Sequence, residues 1–334
     1  MPTGAVNSKQ PRPPSGINAG LRVRDRRDEW MDDPDIDPDL LAWATRDLSR
    51  MGTLAGTAGR LAAGVRRVVA LRGGKNGKRA RPAEAAPATA ASRTLTIADL
   101  GCGDGGVTIA VARRLAPWAA SRGMSLRMIG FDQCAASIAT AKARTEGQWA
   151  GRADRPIGDA AEAEPASREV VRDASREGSR NAFREASRNA SRKAFDETSD
   201  EAMAENDLCA FRVHRFGTDP FPSSIDVAIS TLFLHHLTDA SVLPLFCELA
   251  GAVRQGVVFD DLRRGRDAWA GTWLATRVLS RCPVVHRDGP DSVRGAFSAA
   301  ELRALASQAG MAKATVRRHW PWRLQLEWAR GARP

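Results

Sequence analysis

A buried strand that runs straight into alternate glycines constrains this chain more than any other feature. Residues 95–100, Leu-Thr-Ile-Ala-Asp-Leu, are apolar enough for the centre of a sheet, and Gly101-Cys102-Gly103-Asp104-Gly105 follows at once. Glycines at this spacing let the backbone turn sharply and approach a ligand with no Cβ in the way. Residues 107–115 then open a helix against the sheet. A second strand, 126–131, ends in Asp132, 27 residues after Gly105. An acid there is placed to accept both hydroxyls of a ribose. A dinucleotide site would want Gly-x-Gly-x-x-Gly at the helix N-terminus, to hold a pyrophosphate. Here the run is Asp-x-Gly-x-Gly-x-Gly, and Asp99 suits a cationic amino-acid end better than a pyrophosphate.

Further strands are expected at 209–214, 225–231 and 256–260, with a closing pair at 314–319 and 324–328. Between that pair and the fifth strand, Ser298-Ala299-Ala300-Glu301 has the pattern of a helix capping box, and Gly310 ends the helix. One spacing is abnormal: the second and third strands lie nearly 80 residues apart. A four-residue repeat accounts for the excess, with arginine at 168, 172, 176, 180, 184, 188 and 192. In a helix such a row drifts about 40° per repeat, so no lasting apolar face forms. The segment from about 150 to 207 is expected to be a low-complexity insertion.

The N-terminal side divides into a disordered stretch (1–28), a helical extension (29–72) and a linker (73–93). The acidic run from Asp32 to Asp39 lacks the glycine and terminal glutamate of a calcium loop and fits helix-start chemistry. Residues 60–72 form a basic amphipathic helix, which either packs on the domain or touches an anionic membrane surface.

The net charge of +11 raises the question of nucleic acid. Lysine supplies only six of the 50 basic residues, tyrosine is absent, and no basic patch carries interleaved aromatics. Nucleic acid is therefore not the expected partner. Five scattered cysteines without a Cys-x-x-Cys argue for a reducing compartment, and no signal core or membrane span is evident, so a cytoplasmic location is expected.

The segment 97–105 resembles the first motif of the class I S-adenosylmethionine-dependent methyltransferases, and four further segments fall into register with it over about 94–330, the insertion apart. The resemblance implies an α/β, Rossmann-like fold: a mostly parallel seven-stranded sheet with helices on both faces. It also implies S-adenosylmethionine as cofactor, with Asp99, Gly101, Cys102, Gly103 and Gly105 at the methionine end, Asp132 at the ribose, and Gln133 and Thr231 as further cofactor-binding residues. The ubiquinone and menaquinone C-methyltransferases are similar around Pro220-Phe221. They place an acid where this chain has His214-Arg215; either Asp219 compensates, or backbone and apolar contacts hold the adenine. The extension at 22–72 resembles that of bacterial secondary-metabolism methyltransferases.

Many small-molecule members carry an apolar-His-His pair like Leu234-His235-His236. His236, and His286 in the expected lid, are the candidates for removing a proton from the acceptor. No third ligand stands at local spacing beside the histidine pair, so no metal site is expected. The reaction implied is methyl transfer to a small or lipid-like acceptor, hydrophobic or aromatic, at a hydroxyl of a phenolic or polyketide-type metabolite. Carbon methylation of a quinone precursor, RNA methylation and a non-catalytic scaffold remain the alternatives. Oligomeric state is not legible.

Overall fold

The computed structural model describes residues 21–33, 35–73, 93–149, 208–222 and 224–331. The arginine repeat, most of the 73–93 linker and residues 1–20 lie outside them. Seven strands form one sheet in the order β3-β2-β1-β4-β5-β7-β6. They are β1 (Arg93–Leu100), β2 (Met124–Asp132), β3 (Cys209–Val213), β4 (Val227–Thr231), β5 (Gly256–Leu262), β6 (Thr315–His319) and β7 (Arg323–Ala329). The pairs among β1 to β5 are parallel, and β7 runs antiparallel to both β5 and β6.

Period-two alternation divides the core into two layers. Leu95, Ile97, Val227, Ile229 and Val258 belong to one cluster, while Ala98, Leu100, Ala228, Val257 and Phe259 belong to the other. The first is covered by α2 (Thr57–Gly73), α3 (Gly106–Ala120) and α4 (Ala135–Trp149), through Leu61, Val65, Ile109, Leu115 and Ile138. The second is covered by α5 (Asp239–Ala252) and α8 (Ala299–Gln308), through Val242, Phe246, Leu249 and Leu302. The remaining helices are α1 (Pro38–Leu54), α6 (Arg266–Leu279) and α7 (Pro283–Gly295).

Several local expectations are met. Asp37 caps α1 by accepting from the Asp39 and Leu40 amides, so the acidic run does start a helix. Ser298 and Glu301 form the reciprocal capping box of α8. The basic helix 60–72 is part of α2 and packs on the sheet. Leu61, Val65 and Val68 are buried there, at about 1.5–3 kcal/mol for each large side chain. Arg60 and Arg67 on the same helix pair with Asp260 and Glu327. The side chains that would have lain on a membrane face the sheet instead.

Two expectations need correction. Residues 21–28 are not a disordered continuation of the N-terminus. Arg24 is buried over Phe297 and donates to the carbonyls of Leu234, His235, Leu237 and Gly295, and Arg26 donates to the His236 carbonyl. These carbonyls end a short 3-10 turn (Leu234–His236) and α7, and guanidinium groups satisfy them; no local periodicity announces such a role. Second, β5 runs to Leu262, beyond the expected end at 260, because it pairs with β7 as far as Arg323. Asp260 and Asp261 therefore lie in a strand and face opposite sides of it.

Candidate functional site

Strand order reverses between β1 and β4, and ligands of open α/β sheets bind in the crevice beyond the carboxyl ends at such a point. The β1 end carries the glycine loop and the β4 end carries the histidine pair.

On the β1 side, the Gly101 and Cys102 amides donate to the Phe131 carbonyl, which fixes the loop against β2. Gly105 has φ +73°, and a Cβ there would meet the Phe211 ring at 2.6 Å, so only glycine closes the turn. Gly103, at φ +52°, has open space where its Cβ would be. Asp132 ties the loop down: Oδ2 accepts from the Gly103 amide and Oδ1 from the Cys134 amide, both at 2.9 Å. Asp99 is 1% exposed. Its Oδ2 accepts from the Thr108 hydroxyl at 2.6 Å, while its Oδ1 is buried with no hydrogen-bond partner. Burial pushes the Asp99 carboxyl up to about 7, against the pull of Thr108 and with a further push from Asp132. Burial, then the charges of Asp99 and Asp132, raise the Cys102 thiol, so this buried cysteine is no nucleophile at neutral pH. Gln133 is exposed in the turn before α4. The Thr231 hydroxyl accepts from Arg323 Nη2 at 2.9 Å.

Where the resemblance called for an acid, an aromatic wall stands. The His214 ring lies 5.2 Å from Phe131 and 5.0 Å from Phe216, and Phe216 lies 4.9 Å from Phe233. Asp219 accepts from the Arg215 amide and closes a turn. Asp226 clasps the start of β4 to β1, donating to the Thr96 carbonyl and accepting from the Thr96 amide.

On the β4 side, Leu232 adopts φ +53°, a strained conformation for a branched side chain, as the strand breaks into the 3-10 turn. His235 is buried. Its Nδ1 lies 2.7 Å from Asp261 Oδ1, and its amide donates to Asp261 Oδ2 at 3.0 Å. His236 stacks beside it, ring centroids 4.2 Å apart, with Nδ1 3.2 Å from Asp32 Oδ2. Glu29 faces both rings, Oε1 3.5 Å from His235 Nε2 and Oε2 3.9 Å from His236 Nε2. The Ser292 hydroxyl donates to Glu29, and Asp288 accepts from the Trp30 and Met31 amides, so α7 holds this strap in place. Burial would lower the His235 imidazole, but Asp261 and then Glu29 push it up to about 10. Burial would raise Glu29, but His235 and then His236 hold it below the usual carboxylate range.

The two sides lie close enough for their charges to act on each other. Burial raises the Asp132 carboxyl and its amide donors lower it; the Asp32 charge adds to the rise and His236 opposes it. His286 stands apart from this network: it lies on α7 and its Nε2 meets the Ser280 carbonyl at 2.8 Å. Sequence reasoning missed Thr108, Glu29, Asp32 and Asp261 as members of the site. Asp32 stood out only as part of the acidic run before α1.

No family model matches the sequence, and no curated protein matches it. Solved structures do. A human N-acetylserotonin methyltransferase in complex with SAM is 13% identical, with a TM-score of 0.38 over 71% of this chain and 48% of that one. The plantazolicin methyltransferase BpumL in complex with SAH is 12% identical, with a TM-score of 0.45 over 86% and 75%. An O-methyltransferase family 2 protein from Planctomyces limnophilus in complex with apigenin is 14% identical, with a TM-score of 0.43 over 90% and 63%. The chain thus spans about half the length of the first of these. No helix among the described residues is long and apolar enough to cross a membrane. With the order β3-β2-β1-β4-β5-β7-β6, β7 antiparallel and helices on both faces, the chain has the fold of the class I S-adenosylmethionine-dependent methyltransferases.

Proposed function

We propose that the protein transfers a methyl group from S-adenosylmethionine to a hydroxyl of a small or lipid-like acceptor, of the phenolic or polyketide type. The observation that carries this reading is the unpartnered, buried Oδ1 of Asp99 beside an open glycine loop. A buried carboxylate oxygen without a donor is costly, and an α-ammonium group at the methionine end supplies the donor. The other cofactor groups find matching residues. Asp132 keeps free lone pairs for the ribose, and the wall of Phe131, His214, Phe216 and Phe233 offers apolar faces to an adenine without an acid at 214. Gly101, Gly103 and Gly105 keep the loop clear of Cβ atoms, Cys102 packs beneath it, and Gln133 and Thr231 contribute from the rims of the crevice.

Bound cofactor would supply a methyl group already activated by its sulfonium. An acceptor oxygen in line with it would form the oxygen–carbon bond as the carbon–sulfur bond broke, the electron pair staying on sulfur. The chain must hold the acceptor oxygen in line, exclude water and make that oxygen nucleophilic. His236 is assigned to that last task. It is the more exposed of the pair, lies close enough to Asp132 to lower that carboxyl, and is oriented at Nδ1 by Asp32. His286, tied to Ser280, is assigned a structural role.

Titration calorimetry of the purified protein with S-adenosylmethionine tests the reading. Stoichiometric binding that Asp99→Asn weakens is expected; no binding by the parent would overturn it.

A further inference from the structure

We infer that Glu29, His235 and His236 form a binding site for one divalent transition-metal ion of the zinc type, on the acceptor side of the crevice. As a site it stands on geometry alone; as the means of activating the acceptor hydroxyl it rests on the methyl-transfer reading.

One ligand atom from each residue lies within 4.8 Å of the others. Two imidazole nitrogens and a carboxylate oxygen form a donor set suited to zinc and its first-row neighbours, whereas magnesium and calcium take oxygen ligands. The spacing fits an ion better than it fits hydrogen bonds. Bonds of about 2.1 Å meeting near the tetrahedral angle set donor atoms roughly 3.4 Å apart. The Glu29 oxygens stand 3.5 and 3.9 Å from the two Nε2 atoms, too far for good hydrogen bonds.

The surroundings are also those of a metal site. Each Nδ1 faces a carboxylate, Asp261 for His235 and Asp32 for His236. That pairing leaves Nε2 as the ligating nitrogen and fixes the ring, the usual outer arrangement around metal-bound histidine. Glu29 is held by the Ser292 hydroxyl, and Arg24 and Arg26 clamp the carbonyls of the histidine turn. Two of the three ligands are buried, while His236 is 28% exposed and gives access from solvent. Three protein ligands leave a fourth position open to a hydroxyl, whose proton is then lost to solvent at neutral pH. Under this inference His236 acts as a ligand, and the ion makes the acceptor oxygen nucleophilic.

Glu29 stands 206 residues before His235, so no sequence spacing shows the triad.

The test uses the full chain, stripped with chelator and dialysed. Zn²⁺ is titrated by calorimetry, and Co²⁺ by its visible absorption. One equivalent per chain is expected, with nitrogen-ligated cobalt bands and a higher melting temperature on loading. Glu29→Gln and His236→Ala should each weaken binding by at least about tenfold, and Asp32→Asn, which touches no ligand atom, by about 10–100-fold. His236→Ala alters a partly exposed ring, so it reports on the site even if Glu29→Gln fails to fold. Absence of a stoichiometric site, or a site equally strong in His236→Ala, overturns the inference. Calorimetry of the stripped protein with S-adenosylmethionine judges the methyl-transfer reading separately, because Asp99 and the glycine loop need no ion.

Discussion

The side proposed for the cofactor draws Asp99, the three glycines, Thr108 and Asp132 from one strand–helix–strand unit, residues 99–132. The side proposed for the acceptor draws Glu29 and Asp32 from the N-terminal strap, His235 and His236 from the turn after β4, and Asp261 from β5. The first is assembled by local geometry, since a strand that ends in a glycine loop brings its own helix and its own acid. The second exists only once the strap has crossed the sheet and docked on α7. Their electrostatics differ accordingly. Asp99 is buried without a cation and held toward its neutral form, while Glu29 and Asp261 are buried against imidazole and held ionised.

The largest effect that separates the two sides is expected at His236. His236→Ala should lower turnover of a hydroxylated acceptor by about 10²–10⁴-fold while cofactor affinity stays nearly constant. His286→Ala is the control. Its ring is spent on the Ser280 carbonyl, so it should lower the melting temperature and leave turnover per folded molecule within a few fold. Steady-state kinetics on both variants, with melting curves, would decide the matter. Equal losses at both would dissolve the distinction between a working histidine and a packing one.

Asp132→Ala should give the opposite pattern. Loss of a charge-assisted bond to the ribose costs roughly 1.5–3 kcal/mol of cofactor binding. The two amides it now accepts from would also be released, so the glycine loop should loosen without unfolding the sheet. Calorimetry showing unchanged affinity would remove Asp132 from the cofactor side.

The same contrast explains what the sequence revealed. All seven strands were legible: β1, β2, β4 and β5 carry apolar runs, β7 alternates Leu324, Leu326 and Trp328 with polar residues, and β6, with Val316 alone buried, followed from its place beside β7 in the closing pair. The capping box at Ser298 and the helix start after the acidic run were legible because their chemistry is completed within a few residues. The residues proposed for the cofactor followed from one motif and the acid after the second strand. Glu29 and Asp32 were not legible: an acid in a polar leader carries no mark of the imidazole it will meet. Arg24 was hidden for the same reason, since its partners are backbone carbonyls that every residue type supplies. Asp261 looked like a loop charge until pairing with β7 extended the strand through it.

The smallest effect, and the sharpest probe of the electrostatic contrast, is the pH dependence of Asp99. Its carboxyl is raised to about 7 in the folded protein, against an ordinary value near 4 when unfolded. The folded state therefore holds this proton more tightly than the unfolded chain does. Its contribution to stability is fully present below about pH 4 and is lost as pH rises through about 7. Asp99→Asn, which cannot ionise, should remove that decline and melt higher than the parent at pH 8 when no cofactor is present. Cofactor binding should run the other way. An ammonium group needs the ionised carboxylate, so affinity should rise about tenfold between pH 6 and pH 8 and then level off, while in Asp99→Asn it stays low and flat. A parent affinity that is independent of pH over this range would show that no cationic group meets Asp99. The buried oxygen would then have to be satisfied by some other donor, and the assignment of the methionine end would fall with it.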